Sequence, residues 1–142
     1  MNRLEDRIAL EDLASVYAYY LDTFQIEEAL RLFTDDAVFD ESGVGLGRHE
    51  GKEAIRRFFL AIKAGMSSLS HCNSNFVLRR LDVESAETLM YSTFKGVTAD
   101  GKAMDVVFYY IDQYVKREGN WLFESRFTYP LGPVNLSAFG NS

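Results

Sequence analysis

Apolar residues recur at three- and four-residue steps through the first 21 positions. Leu4, Ile8, Leu13, Val16, Tyr17, Tyr20 and Leu21 form one stripe, the pattern of an amphipathic helix over 4–21. Glu5 and Asp6 suit its first turn, where carboxylates meet the positive end of the helix dipole. A shorter helix is expected over 25–33, with Ile26, Ala29, Leu30 and Phe33 on one face. Asp35-Asp36 ends it, and 37–40 reads as a short strand. Gly43, Gly45 and Gly47 mark a loop. A third helix over 52–63 carries Ile55, Phe58, Phe59 and Ile62 as its stripe and stops at Gly65.

From residue 69 the pattern is that of strand and turn. Strands are expected over 69–82, 86–98, 103–116 and 121–129. Turns fall at Glu84-Ser85, at Asp100-Gly101 (a two-residue hairpin signal) and at Glu118-Gly119-Asn120. Pro130 ends the ladder, since proline has no N–H to donate to it. Helices followed by an antiparallel meander make an α+β domain, with three N-terminal helices packed on one face of the sheet. Such a layout encloses a pocket between sheet and helices, the default place for a ligand. One domain is expected to span 1–142.

Composition narrows the function classes. A chain of 142 residues with 47% hydrophobic content builds a full core. No run of 18 apolar residues is present, so no membrane partner is expected, and the charged start lacks a secretory pattern. A single cysteine, Cys72, suits a reducing compartment, so a cytoplasmic protein is expected. The net charge of −6, without a basic cluster, argues against nucleic acid. Eleven Phe and eight Tyr exceed what a plain core requires. They fit a cavity lining or a subunit interface as well as an aromatic-rich core.

His71 carries the most chemistry. It is one of two histidines, at the head of the first long strand, and Asp22 ends the first helix. A neutral imidazole whose tautomer is held by a carboxylate is the simplest general base near neutral pH. Asp22 has a second reading, because Gln25 three residues later makes the pair resemble a capping box. His71 likewise fits a half-buried structural histidine. Tyr20 neighbours Asp22 and can donate a hydrogen bond. Phe58, Phe59 and Met66 belong to the third helix and its exit, while Met90, Ser92, Val106, Phe108 and Tyr110 share one facing parity on the central strands. Each of these is a pocket candidate or ordinary core. Asn73 and Asn75 share the parity of His71. Cys72 faces away from His71, and His49, expected to be exposed, gives no metal-ligand spacing with it. The glycine loop lacks the βα context of a dinucleotide site. No metal or organic cofactor is therefore expected.

Several segments, in order and spacing, resemble the nuclear transport factor 2-like superfamily in its SnoaL-like branch. They are Tyr20-Leu21-Asp22, the run from Leu32 to Phe39, Gly51-Lys52-Glu53-Ala54-Ile55, His71 at a strand head, and Arg117-Glu118-Gly119-Asn120-Trp121. The resemblance implies a cone-like fold with a strongly curved antiparallel sheet, and a homodimer or homotrimer. Functions in the superfamily range over dehydratases, polyketide cyclases, isomerases, a dehydrochlorinase and non-catalytic modules, so fold alone does not settle function. Asp22 and His71 fall on the family's positions for an aspartate-oriented histidine base, and Arg126 falls on that of an anion-stabilising arginine. Simple alternation opposes Arg126, since it places Leu122, Glu124, Arg126 and Thr128 opposite the more core-like Trp121, Phe123, Phe127 and Tyr129. A bulge would be needed to turn it inward. No histidine follows His71, which departs from the complete scytalone dehydratase site.

The expected function is a cofactor-independent lyase or isomerase acting on a small, largely apolar molecule. His71, Asp22 and Arg126 would do the chemistry, and Tyr20, Phe59, Met90, Phe108 and Tyr110 would contact the substrate. The alternative is a non-catalytic ligand-binding or assembly module of the same fold. The tail, 131–142, is expected to serve as a lid with Phe139 as plug, or as an interface segment.

Overall fold

The computed structural model describes residues 2–134. Helix α1 runs over Arg3–Asp22, and the side chain of Asn2 caps it by accepting from Glu5 N at 3.1 Å. Its inward face differs from the expected stripe. Leu10, Leu13, Ala14, Tyr17, Ala18 and Leu21 are buried, whereas Leu4 and Ile8 are exposed. Asp6 sets this rotation. Its buried carboxylate accepts from Trp121 Nε1 and Lys116 Nζ, each at 2.9 Å, and so docks the helix onto the last hairpin. The Lys116 and Trp121 hydrogen bonds hold the Asp6 carboxyl below its ordinary range.

Helix α2 is shorter than expected, Ile26–Leu30, because Phe33 already opens β1 (Phe33–Asp40). A register shift at exposed Asp35-Asp36 separates the buried ends of β1. A short 3-10 turn (Ser42–Val44) and a three-residue strand, β2 (Arg48–Glu50), lie where only a loop was expected. Helix α3 spans Lys52–Gly65. The meander follows as β3 (Met66–Leu81), β4 (Ser85–Thr98), β5 (Ala103–Arg117) and β6 (Asn120–Pro130).

The six strands form one sheet in the order β2-β1-β6-β5-β4-β3. The expected antiparallel pairing holds from β3 to β6. The exception is β1, which runs parallel to β6, because the chain reaches it across the helical layer rather than by a hairpin. Bulges interrupt β3 at Ser74/Val77, where Asn75 takes φ 53°, and β6 opposite Gln113/Tyr114. Bulges bend and twist a long strand, so the sheet curls around the helices. The bulge in β3 also puts Asn75 on the exposed side, away from His71.

The core centres on rings. Tyr17 sits 5.9 Å from Phe33 and 5.8 Å from Phe123 in edge-to-face contacts, and Phe39 meets Phe59 edge-on at 5.8 Å. Among the described residues, no helix covers the opposite face of the sheet. Tyr91, Tyr109 and Tyr129 stand side by side there on β4, β5 and β6, with Tyr109 stacked on Tyr129 at 5.2 Å. Among the described residues, no helix is long and apolar enough to cross a membrane. The proposed lid segment beyond Val134, Phe139 included, lies outside the described residues.

Candidate functional site

The wide end of the curled sheet holds an apolar cavity between α1, α3 and strands β3 to β5. Its walls are mostly aliphatic and aromatic side chains, Leu21, Phe39, Phe58, Leu69, Phe94 and Phe108 among them. Three polar groups enter this wall: Tyr17, Glu41 and His71. The cavity is narrow, ≈ 60 Å³, space for a few waters.

Asp22 and His71 meet at the cavity. The last residue of α1 faces the strand that leaves α3, and both carboxylate oxygens of Asp22 are used on one partner. Oδ1 lies 2.6 Å from His71 Nδ1, and Oδ2 accepts from the backbone N–H of His71 at 2.8 Å. Gln25 is itself the N-cap of α2, its side chain makes no cap bond and its N–H donates to Tyr20 O, so Asp22 does not close a capping box. The two bonds orient the imidazole in the tautomer that carries its proton on Nδ1. Nε2 is then the ring nitrogen free to accept a proton. Phe94, at 5.0 Å between ring centroids, and Phe108 flank the ring.

Arg126 is turned inward by the bulge in β6. Gln113 pairs with Ser125 and Tyr114 with Phe123, so Glu124 has no partner in the ladder. Residues before the bulge keep the phase of Trp121 and Phe123; after it the phase inverts, and Arg126 and Thr128 become buried. Alternation fails at that one residue. The guanidinium is fully buried. It grips Asp112 through Nε and Nη2, both at 2.8 Å, and lies 3.7 Å from the Tyr110 ring centroid and 4.5 Å from those of Tyr17 and Phe123. Nη1 has no hydrogen-bond partner among the described residues. Burial would lower the Arg126 pKa, but the Asp112 charge and its hydrogen bonds outweigh this and hold the group cationic. Arg126 sits behind the cavity wall, with Tyr17 between.

The other candidates divide. Phe108 lines the cavity. Phe59 is core, and its neighbour Phe58 takes the lining position, stacked on His49 at 4.1 Å. His49 is therefore half-buried, not exposed. Tyr110 is buried beneath Arg126. Met90 lies nearer the far end of the sheet, beside Asn73 and Phe76. Tyr20 is half-buried against Tyr19, and Tyr17, one helical turn earlier, is the cavity tyrosine. Helical geometry explains the difference: Tyr17 shares the face of Leu21, its i+4 neighbour, whereas Tyr20 is rotated off it.

Glu41, Tyr17 and Asp112 were not singled out from the sequence. Glu41 had a readable signal, because Ala37, Phe39 and Glu41 share one parity. The glycine loop then presents it. Glu41 N donates to Gly47 O, and Val44 N and Leu46 N donate back to Glu41 O. Gly45 and Gly47 take φ of 83° and 85°, and Gly43 lies so close to β6 that a Cβ would fall 2.3 Å from Thr128 O. Burial pushes the Glu41 carboxyl up to about 8; the Thr128 hydroxyl and the Arg126 charge pull against this, and Asp40 adds to it. Asp112 already neutralises Arg126, so desolvation wins.

A pH dependence follows. Between the ordinary 4.5 and about 8 the folded chain holds a proton that the unfolded chain has lost. Stability is then complete below 4.5 and falls as pH rises through that window, by at most ~1.4 kcal/mol per unit. In urea denaturation across this range, Glu41→Gln is expected to flatten the slope. An unchanged slope would place the effect on another group.

The model of the SnoaL-like domain matches residues 2–127. No curated protein matches the chain significantly. Among solved structures, a provisionally named aromatic ring hydroxylase from Novosphingobium aromaticivorans is 35% identical, with 94% of each chain covered and a TM-score of 0.90. A provisionally named scytalone dehydratase from the same organism is 22% identical over 92% of this chain and 95% of that one, with a TM-score of 0.83. A hexachlorocyclohexane dehydrochlorinase from Novosphingobium barchaimii is 20% identical over 92% and 89%, with a TM-score of 0.81. The last two likenesses establish the fold, α+β with helices on a six-stranded open sheet.

Proposed function

The chain belongs to the SnoaL-like domain family, and from that premise we propose that it is a cofactor-independent lyase or isomerase in which His71 removes a proton from a small, largely apolar substrate. The observation that carries this reading is the doubly bonded Asp22–His71 pair opening on an apolar cavity. The carboxylate fixes the tautomer and stabilises the imidazolium that forms. The largely apolar wall beside the free Nε2 limits the water that competes for it. Tyr17 takes the role first expected of Tyr20, hydrogen-bonding to the carbonyl or leaving group, and Arg126 beneath it sets the polarity of that phenol.

The structural neighbours named as a dehydratase and a dehydrochlorinase support an elimination. The test is turnover of compounds with an activated C–H bond, read by product mass, with His71→Ala as the control. A turnover that survives this substitution would refute the assignment. The binding-module reading draws on the narrowness of the cavity. It predicts a saturable ligand that is released unchanged.

The resemblance to oligomeric proteins fits a sheet face that no described helix covers. Tyr91, Tyr109 and Tyr129 present a continuous aromatic strip there, with Val107 and Leu131 exposed beside it. A second copy of the chain is the proposed partner. Light scattering is expected to show Tyr109→Glu shifted to the monomer mass, because a carboxylate at the middle of the strip is desolvated by pairing. The same mass for wild type and Tyr109→Glu would remove this face as the interface.

A further inference from the structure

A base alone completes an elimination fast only when the leaving group departs as a stable anion. Chloride does; hydroxide is a poor leaving group near neutral pH and departs far faster when a proton is delivered to oxygen as the C–O bond breaks. The cavity contains a group placed for this delivery. Glu41 enters it from the end of β1, while His71 enters from β3. The two are therefore presented to one enclosed space by different strands, as an acid and a base must be if they are to act on two atoms of one substrate.

We propose that Glu41 is the second proton-transfer group of this cavity, the general acid that protonates an oxygen leaving group while His71 takes the C–H proton. The inference rests on the His71 reading above and deepens it, because it assigns the site to a hydroxyl-bearing substrate rather than a halide.

The surroundings suit that task. Glu41 is buried, and the polar groups around it are Arg126 and Thr128 on β6, Tyr17 on α1, Asp40 on its own strand, and His71 across the cavity. The only full positive charge among them is Arg126, already matched by a bidentate Asp112. The Arg126 charge and the Thr128 hydroxyl compensate a Glu41 anion only in part, so the acid keeps its proton until a substrate oxygen requires it. The backbone bonds from Glu41 to Gly47, Val44 and Leu46 fix where that proton is offered.

The step balances. The C–H bond breaks and its proton goes to His71 Nε2, while the electron pair forms the C=C bond. The C–O bond breaks, its electrons stay on oxygen, and Glu41 supplies the proton that makes water. The enzyme is left with imidazolium and carboxylate. Transfer of one proton from His71 to Glu41 through the released water restores both.

The test uses 3-hydroxycyclohexanone and 3-chlorocyclohexanone, which give the same enone, followed by its ultraviolet absorbance after subtraction of spontaneous elimination. Glu41→Gln keeps the shape and removes the transferable proton. It is expected to lower kcat for the hydroxy ketone by ~10²–10³-fold, within the range of general acid catalysis. For the chloro ketone it is expected to change kcat less than about threefold, since no proton is needed there. The alkaline fall of the wild-type hydroxy-ketone profile is expected to vanish with it.

Equal effects on the two probes, or none on either, overturn the role of Glu41. Inertness of wild type toward the hydroxy ketone also overturns it. If His71→Ala leaves both eliminations intact, the base assignment fails instead, whatever Glu41 does. Independently of turnover, infrared difference spectra of wild type against Glu41→Gln at pH 6 are expected to show a protonated carboxyl band. Its absence overturns the proposal.

Discussion

Asp112→Leu, with Arg126 left in place, is expected to remove ~3–5 kcal/mol of stability in urea denaturation, the range for stranding one member of a buried ion pair. Both side chains have no exposure, and Asp112 provides the two charge-assisted bonds that Arg126 makes. The rings of Tyr110, Tyr17 and Phe123 offer the cation their faces, but cation–π contacts of ~1–2 kcal/mol each do not replace a carboxylate. The Asp112→Leu/Arg126→Met double variant is expected to recover most of the loss, because a buried pair exchanged for apolar residues of similar volume is often neutral or better. Recovery makes the double variant useful in a second way. It is a folded protein without the buried cation, and turnover in it tests whether Arg126 contributes beyond packing. A loss below ~1 kcal/mol in the single variant would show that the cation had found another anion, contrary to the usual cost of breaking such a pair. Glu41, whose carboxyl feels the Arg126 charge, is the candidate, and loss of its proton would then accompany the substitution.

The same region shows what sequence reasoning can and cannot reach. The periods of 3.6 and 2 located all three helices and the four long strands, because each buries one face against the other layer. Chemistry made His71 and Asp22 visible: a histidine at a strand head and an acid at a helix end are few enough to consider as a pair. The facing of Arg126 was not legible. A single unpaired residue, Glu124, inverts the phase of β6, and no residue type there announces a bulge. The strand β2 was hidden because three residues carry too little pattern. The rotation of α1 was hidden because its anchor, Asp6, is a charge that becomes buried only through partners 110 and 115 residues away. Glu41 was overlooked although its parity with Ala37 and Phe39 pointed it inward. A lone glutamate beside a glycine loop reads as surface until the loop is seen folded back on β6, where Gly43 lies against Thr128.

Asp22→Asn is expected to lower kcat nearly as far as His71→Ala does, by ~10²–10⁴-fold, although it changes one atom and leaves the imidazole present. Asp22 accepts two hydrogen bonds from His71, one from Nδ1–H and one from the backbone N–H. Asparagine has one acceptor and one donor group in the same place. If its oxygen stays on the backbone N–H, its amide donates to Nδ1. The ring proton must then move to Nε2, and the nitrogen facing the cavity is no longer a base. If the amide flips, the backbone N–H meets a donor and the strand end shifts. Either way the geometry of the pair is broken while the cavity keeps its volume. The signature is spectroscopic as well as kinetic. Long-range ¹H–¹⁵N spectra are expected to show the Nδ1-protonated tautomer in wild type and the Nε2-protonated one in the variant. The stability change is expected to be small beside that of Asp112→Leu, since the site is partly solvated and one hydrogen bond is worth ~1 kcal/mol net. A variant that switched tautomer yet turned over at the wild-type rate would remove His71 as the base. Loss of turnover without the tautomer switch would leave Asp22 acting through charge on the imidazolium rather than through orientation. The two roles are thus separable by one substitution read in two ways.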